Sequence, residues 1–144
     1  MLHRGLLLLA ALWWGGMTAL SFVAVPLLFA HFGDPAVAGP VAARLFQFQA
    51  WFSVAVCLAL LVAARQPRWG MSAALAQALL PWLLLAALAA LVQQFGVAHK
   101  IVTARALGGD VRLWHHVGSG LVVLQWLCAL RVLLCLADKP ANSL

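Results

Sequence analysis

Acidic side chains are nearly absent from this sequence. Its 144 residues include only three Asp or Glu. None is a glutamate, and the three aspartates lie in predicted connections or in the tail, at Asp34, Asp110 and Asp138. Transporters that couple to protons or sodium commonly hold the ion on a carboxylate inside the membrane. The sequence offers no carboxylate for that role.

Motifs of common enzyme classes are also missing. There is no Walker phosphate-binding loop and no GxGxxG, CxxC, HExxH or GxSxG pattern, so no motif supports nucleotide, thiol-redox, zinc-protease or serine-hydrolase chemistry. The three cysteines, Cys57, Cys128 and Cys135, fall inside predicted membrane spans. Buried thiols of this kind usually serve as small apolar side chains. We therefore expect no enzymatic activity.

What the sequence does contain is long apolar runs. Hydrophobic residues make up 66% of the chain and charged residues 8%, and the mean hydropathy is +1.03. Residues 6–30 carry no charged side chain. A helix of that length extends ~37 Å at ~1.5 Å per residue, enough to cross a hydrocarbon core of ~30 Å with some tilt. This first run predicts a transmembrane helix.

Three more segments share this character. The predicted fold is all-α, a single integral membrane domain over residues 1–144 that forms a four-helix bundle with up-down topology. Gly39 and Pro40 indicate a short connection over residues 36–43. Polar residues indicate that the longest connection covers residues 97–112. The predicted spans are residues 6–30, 45–64, 73–95 and 113–137.

The positive charge suits a membrane surface. The net charge is +6, and the nine Lys and Arg are scattered over connections and helix ends, where cations meet lipid headgroups. Because no basic stripe with interleaved aromatic residues occurs, we expect no binding to nucleic acid. The lipid bilayer is the expected partner. The cation distribution slightly favours the side of the two termini, so the positive-inside rule predicts that both termini are cytoplasmic.

Small residues predict close contacts between helices. Glycine, alanine and serine let neighbouring backbones approach each other inside a membrane, either within the bundle or in a homo-oligomer or a complex with another membrane protein. A role in lining a substrate site is the alternative interpretation. The predicted packing residues are Gly15, Gly16 and Ala19 in the first span and Gly118, Ser119 and Gly120 in the fourth.

Four of the five histidines are predicted to lie at one membrane face, opposite the N-terminus. His31 ends the first span, His99 follows the third, and His115 and His116 begin the fourth. Imidazole is a common ligand of metal ions and of haem, so these residues are candidate ligands of haem b or of a metal ion. The alternative is that they face headgroups and water.

Glutamines inside the spans are the remaining polar signal. An amide surrounded by hydrocarbon seeks a hydrogen-bond partner on an adjacent helix. We predict interhelical hydrogen bonds from these residues; the alternative is that they line a polar pathway, as in a solute channel. They are Gln77, Gln93, Gln94 and Gln125.

Several stretches together resemble a known family. These are Trp14-Gly15-Gly16 with Pro26 and Phe29, Arg44-Leu45-Phe46, Lys100-Ile101 with Arg105, and His116-x-x-Ser119. In these positions the chain resembles bacterial four-helix membrane proteins of unknown function that are similar to transmembrane protein 205. They are more distantly similar to the copper-resistance D proteins and to four-helix haem-dependent protoporphyrinogen oxidases. The resemblance implies four membrane helices in a bacterial inner membrane and no established catalytic activity.

Two functional hypotheses follow. The first is a small multi-pass inner-membrane protein with a non-enzymatic role, such as metal or small-solute tolerance. The second is a b-type haem or metal-binding membrane redox protein that uses the histidines at one membrane face.

Overall fold

Helices account for nearly all of the chain that the structure describes. The computed structural model describes residues 2–66, 69 and 71–138. These residues contain no strand, which confirms the all-α prediction. The helices are α1 (Leu2–Ala19), α2 (Val25–Phe32), α3 (Pro35–Ala64), α4 (Ala73–Leu91), α5 (Ala98–Leu107) and α6 (Val111–Ala137), with π-helical segments at Leu20–Ala24 and Val92–Val97.

The helical segments join into four long spans. The most apolar window of each has a mean hydropathy between 1.8 and 2.2, so each is long and apolar enough to cross a membrane. The chain therefore has the architecture of a multi-pass membrane protein. We number the spans in chain order as His3–Phe32, Pro35–Ala64, Ala73–Ile101 and Val111–Ala137.

The spans form a four-helix bundle. Helix α6 packs along α4 and α1, α3 packs along α4, and α2 meets α3. Short connections make consecutive spans antiparallel neighbours. His3 Nε2 lies 3.1 Å from the carbonyl oxygen of Leu136, so the first span begins where the fourth span ends. We call this the N-terminal end of the bundle and the other the opposite end.

The second span begins earlier than the sequence indicated, and the predicted connection over residues 36–43 is wrong. Gly33 ends α2 in the left-handed conformation, with φ at 66°. The Asp34 carboxylate then accepts a hydrogen bond from the backbone N–H of Ala36 at 2.8 Å, and Pro35 occupies the first helical position, which proline favours. This cap starts α3 before Gly39 and Pro40, which are accommodated inside the helix.

The predicted connection over residues 97–112 is also wrong for most of its length. Helix α5 continues beyond the third span to Leu107, and only residues 108–110 separate it from α6. Residues 98–107 contain no glycine or proline, so a polar composition did not prevent helix formation. Gly108 has φ at 72°, and the Asp110 carboxylate accepts from the backbone N–H of Leu113 at 3.0 Å to cap α6.

Proline marks the first departure from regular α-helix. Pro26 has no N–H to donate and its ring crowds the carbonyl four residues back. The π-helical segment Leu20–Ala24 ends two residues before it, and such a wider turn is one way a membrane helix accommodates proline. The second π-helical segment, Val92–Val97, contains no proline.

The tightly packed core lies toward the N-terminal end of the bundle. In the first span every buried residue of the described part lies at or before Met17, and Leu20–Phe32 contains none. The largest fully buried side chains of this region include Trp13, Leu60, Leu79 and Leu136. The opposite end is therefore packed less densely.

Candidate functional site

A cavity occupies the opposite end of the bundle, where the core is sparse. Its volume is about 810 Å³, and all four spans contribute to its wall. Ala42, Gln93, Val97 and Val122 are buried lining residues, whereas Ala43 is an exposed one. The cavity therefore reaches from the interior of the bundle to its surface. Pockets of 300–1,000 Å³ are typical binding sites for small molecules.

Both π-helical segments form part of the cavity wall. Ser21 and Phe22 line it from the first segment, and Gln93, Gln94 and Val97 line it from the second. Segments of this kind occur frequently at functional sites. The Ser21 hydroxyl oxygen is buried and has no hydrogen-bond partner in the described part of the chain. Such a group calls for an explanation, of which a bound molecule is one.

A hydrogen-bond chain crosses the bundle beside the cavity and joins all four spans. Trp13 Nε1 donates to Ser53 Oγ at 2.9 Å, and Gln49 Nε2 donates to the same oxygen at 3.1 Å. Gln49 Nε2 also donates to Gln125 Oε1 at 3.2 Å, and Gln125 Nε2 donates to Gln93 Oε1 at 2.7 Å. We call these five residues the central chain. Each of the five is at most 8% exposed, so the chain fixes the spans relative to one another in a region of low dielectric constant.

An aromatic group adjoins the central chain on the cavity side. Trp126 lines the cavity, and its indole N–H donates to Thr18 Oγ1 at 2.8 Å. Thr18 in turn donates to the carbonyl oxygen of Trp14 at 2.8 Å. The ring of Phe22 meets Trp126 edge-on, with centroids 6.0 Å apart. This group holds the first span against the fourth along one wall of the cavity.

The one formally charged side chain in the described wall of the cavity is a cation, Arg44. Arg44 lines the cavity and is exposed, and His115 does the same from the fourth span. No carboxylate is among the described residues that line it. The opening of the cavity is therefore electropositive and, by Coulomb attraction, favours an anion over a cation.

The four candidate ligand histidines are all exposed, and only His115 lines the cavity. His31 packs edge-on against the ring of Phe32, with centroids 5.3 Å apart. His99 and His116 lie on the third and fourth spans outside the cavity wall. Among the described residues, no group of three or more His, Cys, Asp or Glu side chains is placed to hold a metal ion.

The small residues are placed in different environments. A Cβ atom built at Gly15, Gly16 or Gly120 meets no heavy atom of the described chain within 4 Å, whereas one built at Gly118 lies 3.3 Å from Val97 Cγ1. Of these positions, only Gly118 is in close contact with another span. Ala19, Ser119 and Gly120 are exposed, and Ser119 lines the cavity.

The four glutamines predicted to form interhelical hydrogen bonds also lie in different environments. Gln93 and Gln125 are bonded to each other in the central chain. Gln94 is half-buried in the cavity wall, and Gln77 is exposed on α4. Sequence reasoning missed Gln49 and Ser53. Their spacing of four residues within an apolar span was the available signal, because it places both on one helix face.

The fold and the site together define a class: a four-span membrane protein with a largely apolar cavity between its helices. The chain belongs to the family described as "Domain of unknown function (DUF4149)", which matches residues 8–110. The matched region contains most of the first span and the whole of the second and third. No curated protein and no solved structure matches the chain.

Proposed function

We propose that this protein binds a lipid-like amphiphile in the cavity at the opposite end of the bundle. The observation that carries this proposal is the cavity itself. It measures about 810 Å³, its wall is mostly apolar, and it reaches the surface. A hydrocarbon chain fits such a wall, because apolar surface combined with a few polar groups is the common composition of small-molecule sites.

The charge of the opening selects the head of the amphiphile. Arg44 lies there, and no carboxylate is among the described lining residues, so an anionic headgroup is preferred to a cationic one. Arginine also binds carboxylates and phosphates through paired hydrogen bonds. The probe we choose is dodecanoate, and dodecyltrimethylammonium is its cationic counterpart of the same chain length.

Filling the cavity should prevent binding. Ala43 is an exposed residue of the cavity wall, so the A43W variant places a large ring at the opening without displacing a buried side chain. We expect A43W to weaken the binding of radiolabelled dodecanoate at least tenfold, measured by scintillation proximity in nanodiscs with empty nanodiscs as the blank. Ala55 is exposed on the same helix but is not a lining residue, so A55W serves as the control. Equal binding by A43W and the unmodified protein would refute the proposal.

Removing the charge of the opening should change selectivity. We expect Arg44→Gln to weaken dodecanoate binding about three- to tenfold, the effect of one partly exposed charge-assisted hydrogen bond. Binding of dodecyltrimethylammonium should not weaken. Arg112 is exposed on α6 outside the cavity wall, so Arg112→Gln is the matched control. A loss that is the same for both probes would show that Arg44 does not recognise charge.

We further propose a location and an orientation for this activity. The slight excess of cations on the side of the termini supports cytoplasmic termini, and the opposite end with its cavity then faces the other side of the membrane. The resemblance to bacterial proteins similar to transmembrane protein 205 supports a bacterial inner membrane. It also supports a non-enzymatic role in the tolerance of a small solute, for which amphiphile binding is a mechanism.

Haem or metal binding is a second candidate, and one observation favours it: His115 lines a cavity of ligand size. The residues present do not fit ligation by two histidines, because His31, His99 and His116 are not part of the cavity wall. His115 would be the one histidine of the described cavity wall able to hold such a group. A Soret band in the purified protein that is lost in His115→Ala would support it, and a spectrum without that band would count against it.

A further inference from the structure

We infer that the cavity presents a fixed hydrogen-bond donor, the Gln93 side-chain amide, and therefore selects amphiphiles that carry a carbonyl oxygen within their apolar part. This inference rests on the proposed binding of an amphiphile and adds to it the chemical class of the ligand. Its basis is the direction in which the amides of the central chain are oriented.

A backbone carbonyl determines that direction. The two ends of a glutamine amide look alike in shape, so their assignment has to follow from their partners. Gln125 Nε2 lies 3.2 Å from the carbonyl oxygen of Leu121 as well as 2.7 Å from Gln93. A carbonyl oxygen only accepts hydrogen bonds, so Gln125 must turn its nitrogen toward Leu121 and Gln93. The opposite assignment would place two oxygen acceptors against each other.

The orientation of Gln125 then sets those of its neighbours. Its oxygen faces Gln49, which must turn its nitrogen toward it. Gln49 Oε1 is consequently left buried without a partner in the described part of the chain. On the other side, Gln93 turns its oxygen toward Gln125 and has its own nitrogen left over. The central chain thus ends at Gln93 with a donor.

That donor is available to the cavity. Gln93 is 8% exposed and lines the cavity. Its Nε2 has no hydrogen-bond partner in the described part of the chain, and it is not among the fully enclosed polar atoms that lack one. Because Gln93 Oε1 already accepts a bond, polarisation along the chain makes its N–H groups stronger donors. A ligand oxygen that accepts from this nitrogen satisfies a group that hydrocarbon would leave unpaired.

A series of oxo-dodecanoates provides the test. In these probes a ketone is moved along the chain from carbon 4 to carbon 11, so that one member places its oxygen near Gln93. Affinity is measured relative to plain dodecanoate in the same nanodiscs. We expect one member of the series to bind about two- to tenfold more tightly than dodecanoate, which is the effect of one neutral hydrogen bond.

For each variant we compare the ratio of its affinity for the oxo probe to its affinity for dodecanoate, and not the absolute affinity. In Gln93→Leu the preference for the oxo probe should disappear, whereas in Gln77→Leu, an exposed position on the same span, it should persist. The inference is wrong if no oxo probe binds more tightly than dodecanoate, or if the preference survives in Gln93→Leu. Failure of dodecanoate itself to bind would instead refute the proposed function, so the two failures are distinguishable.

A spectroscopic measurement on the unmodified protein covers the case in which Gln93→Leu does not fold. The best oxo probe is labelled with ¹³C at its ketone, and the infrared carbonyl stretch is recorded with protein and with empty nanodiscs. A hydrogen bond from an amide N–H lowers this frequency. A band at lower wavenumber with the protein supports the inference, and an unshifted band overturns it.

Discussion

Trp13→Ala is expected to lower the free energy of unfolding by about 3 kcal/mol. Trp13 is 0% exposed and is one of the largest fully buried side chains of the described protein. Its removal leaves a cavity in the densest part of the core and deprives Ser53 of a donor at 2.9 Å. Transfer of apolar surface contributes little here, because lipid is as apolar as the protein interior. The cavity and the lost hydrogen bond therefore supply most of the effect.

Unfolding by SDS titration in bicelles measures this change. Trp13→Phe separates its two parts, since it keeps much of the ring volume and loses the N–H donor. We expect it to be destabilising by about 1 kcal/mol, the range of one buried hydrogen bond. Trp51 is 47% exposed on α3 and provides the control. If Trp51→Ala lowered stability as much as Trp13→Ala, the assignment of the core to the N-terminal end of the bundle would be wrong.

The helical architecture was predictable because a membrane leaves few alternatives. Hydrocarbon provides no partner for backbone N–H and C=O groups, so a long apolar segment must be a helix. The start of the second span was not predicted, although its signal was present. Asp34 followed by Pro35 is a helix start, but Gly39 and Pro40 five residues later are typical of a connection. The capped first turn and the burial of Ala38 prevailed over the one hydrogen bond that Pro40 removes.

The candidate site was much less predictable, because a sequence gives the depth of a residue and not the direction it faces. Gln77 and Gln93 are both glutamines of the third span, yet Gln77 is exposed and Gln93 belongs to the central chain. Four of the five histidines likewise share the opposite end of the bundle, but of these only His115 reaches the cavity wall. The cavity itself depends on where the core stops and where two helices widen into π-helical turns. Neither feature has a local sequence signature as strong as that of a membrane span.

The central chain should be the polar element on which stability depends most. We expect Gln125→Ala to lower the free energy of unfolding by about 2–3 kcal/mol. Gln125 is 0% exposed and bonds to Gln49 and Gln93 on two other spans. Hydrogen bonds between membrane helices average only ~0.6 kcal/mol. The variant, however, also leaves the buried Gln93 Oε1 without a donor, takes one of the two acceptors of Gln49 Nε2 and opens a cavity. The orphaned oxygen and the cavity each cost about 1 kcal/mol or more.

Two comparisons distinguish this mechanism from a general effect of removing a glutamine. Gln77→Ala, at an exposed position, should change stability by less than about 0.5 kcal/mol. The triple variant with leucine at 49, 93 and 125 should be less destabilised than the sum of the three single leucine variants, because removing all three amides together leaves no amide without a partner. Strict additivity of the three changes would mean that these side chains act as separate packing groups. The amides would then not form one connected chain. In that case Gln125 would not orient the Gln93 amide, and the inferred donor toward the cavity would have no basis.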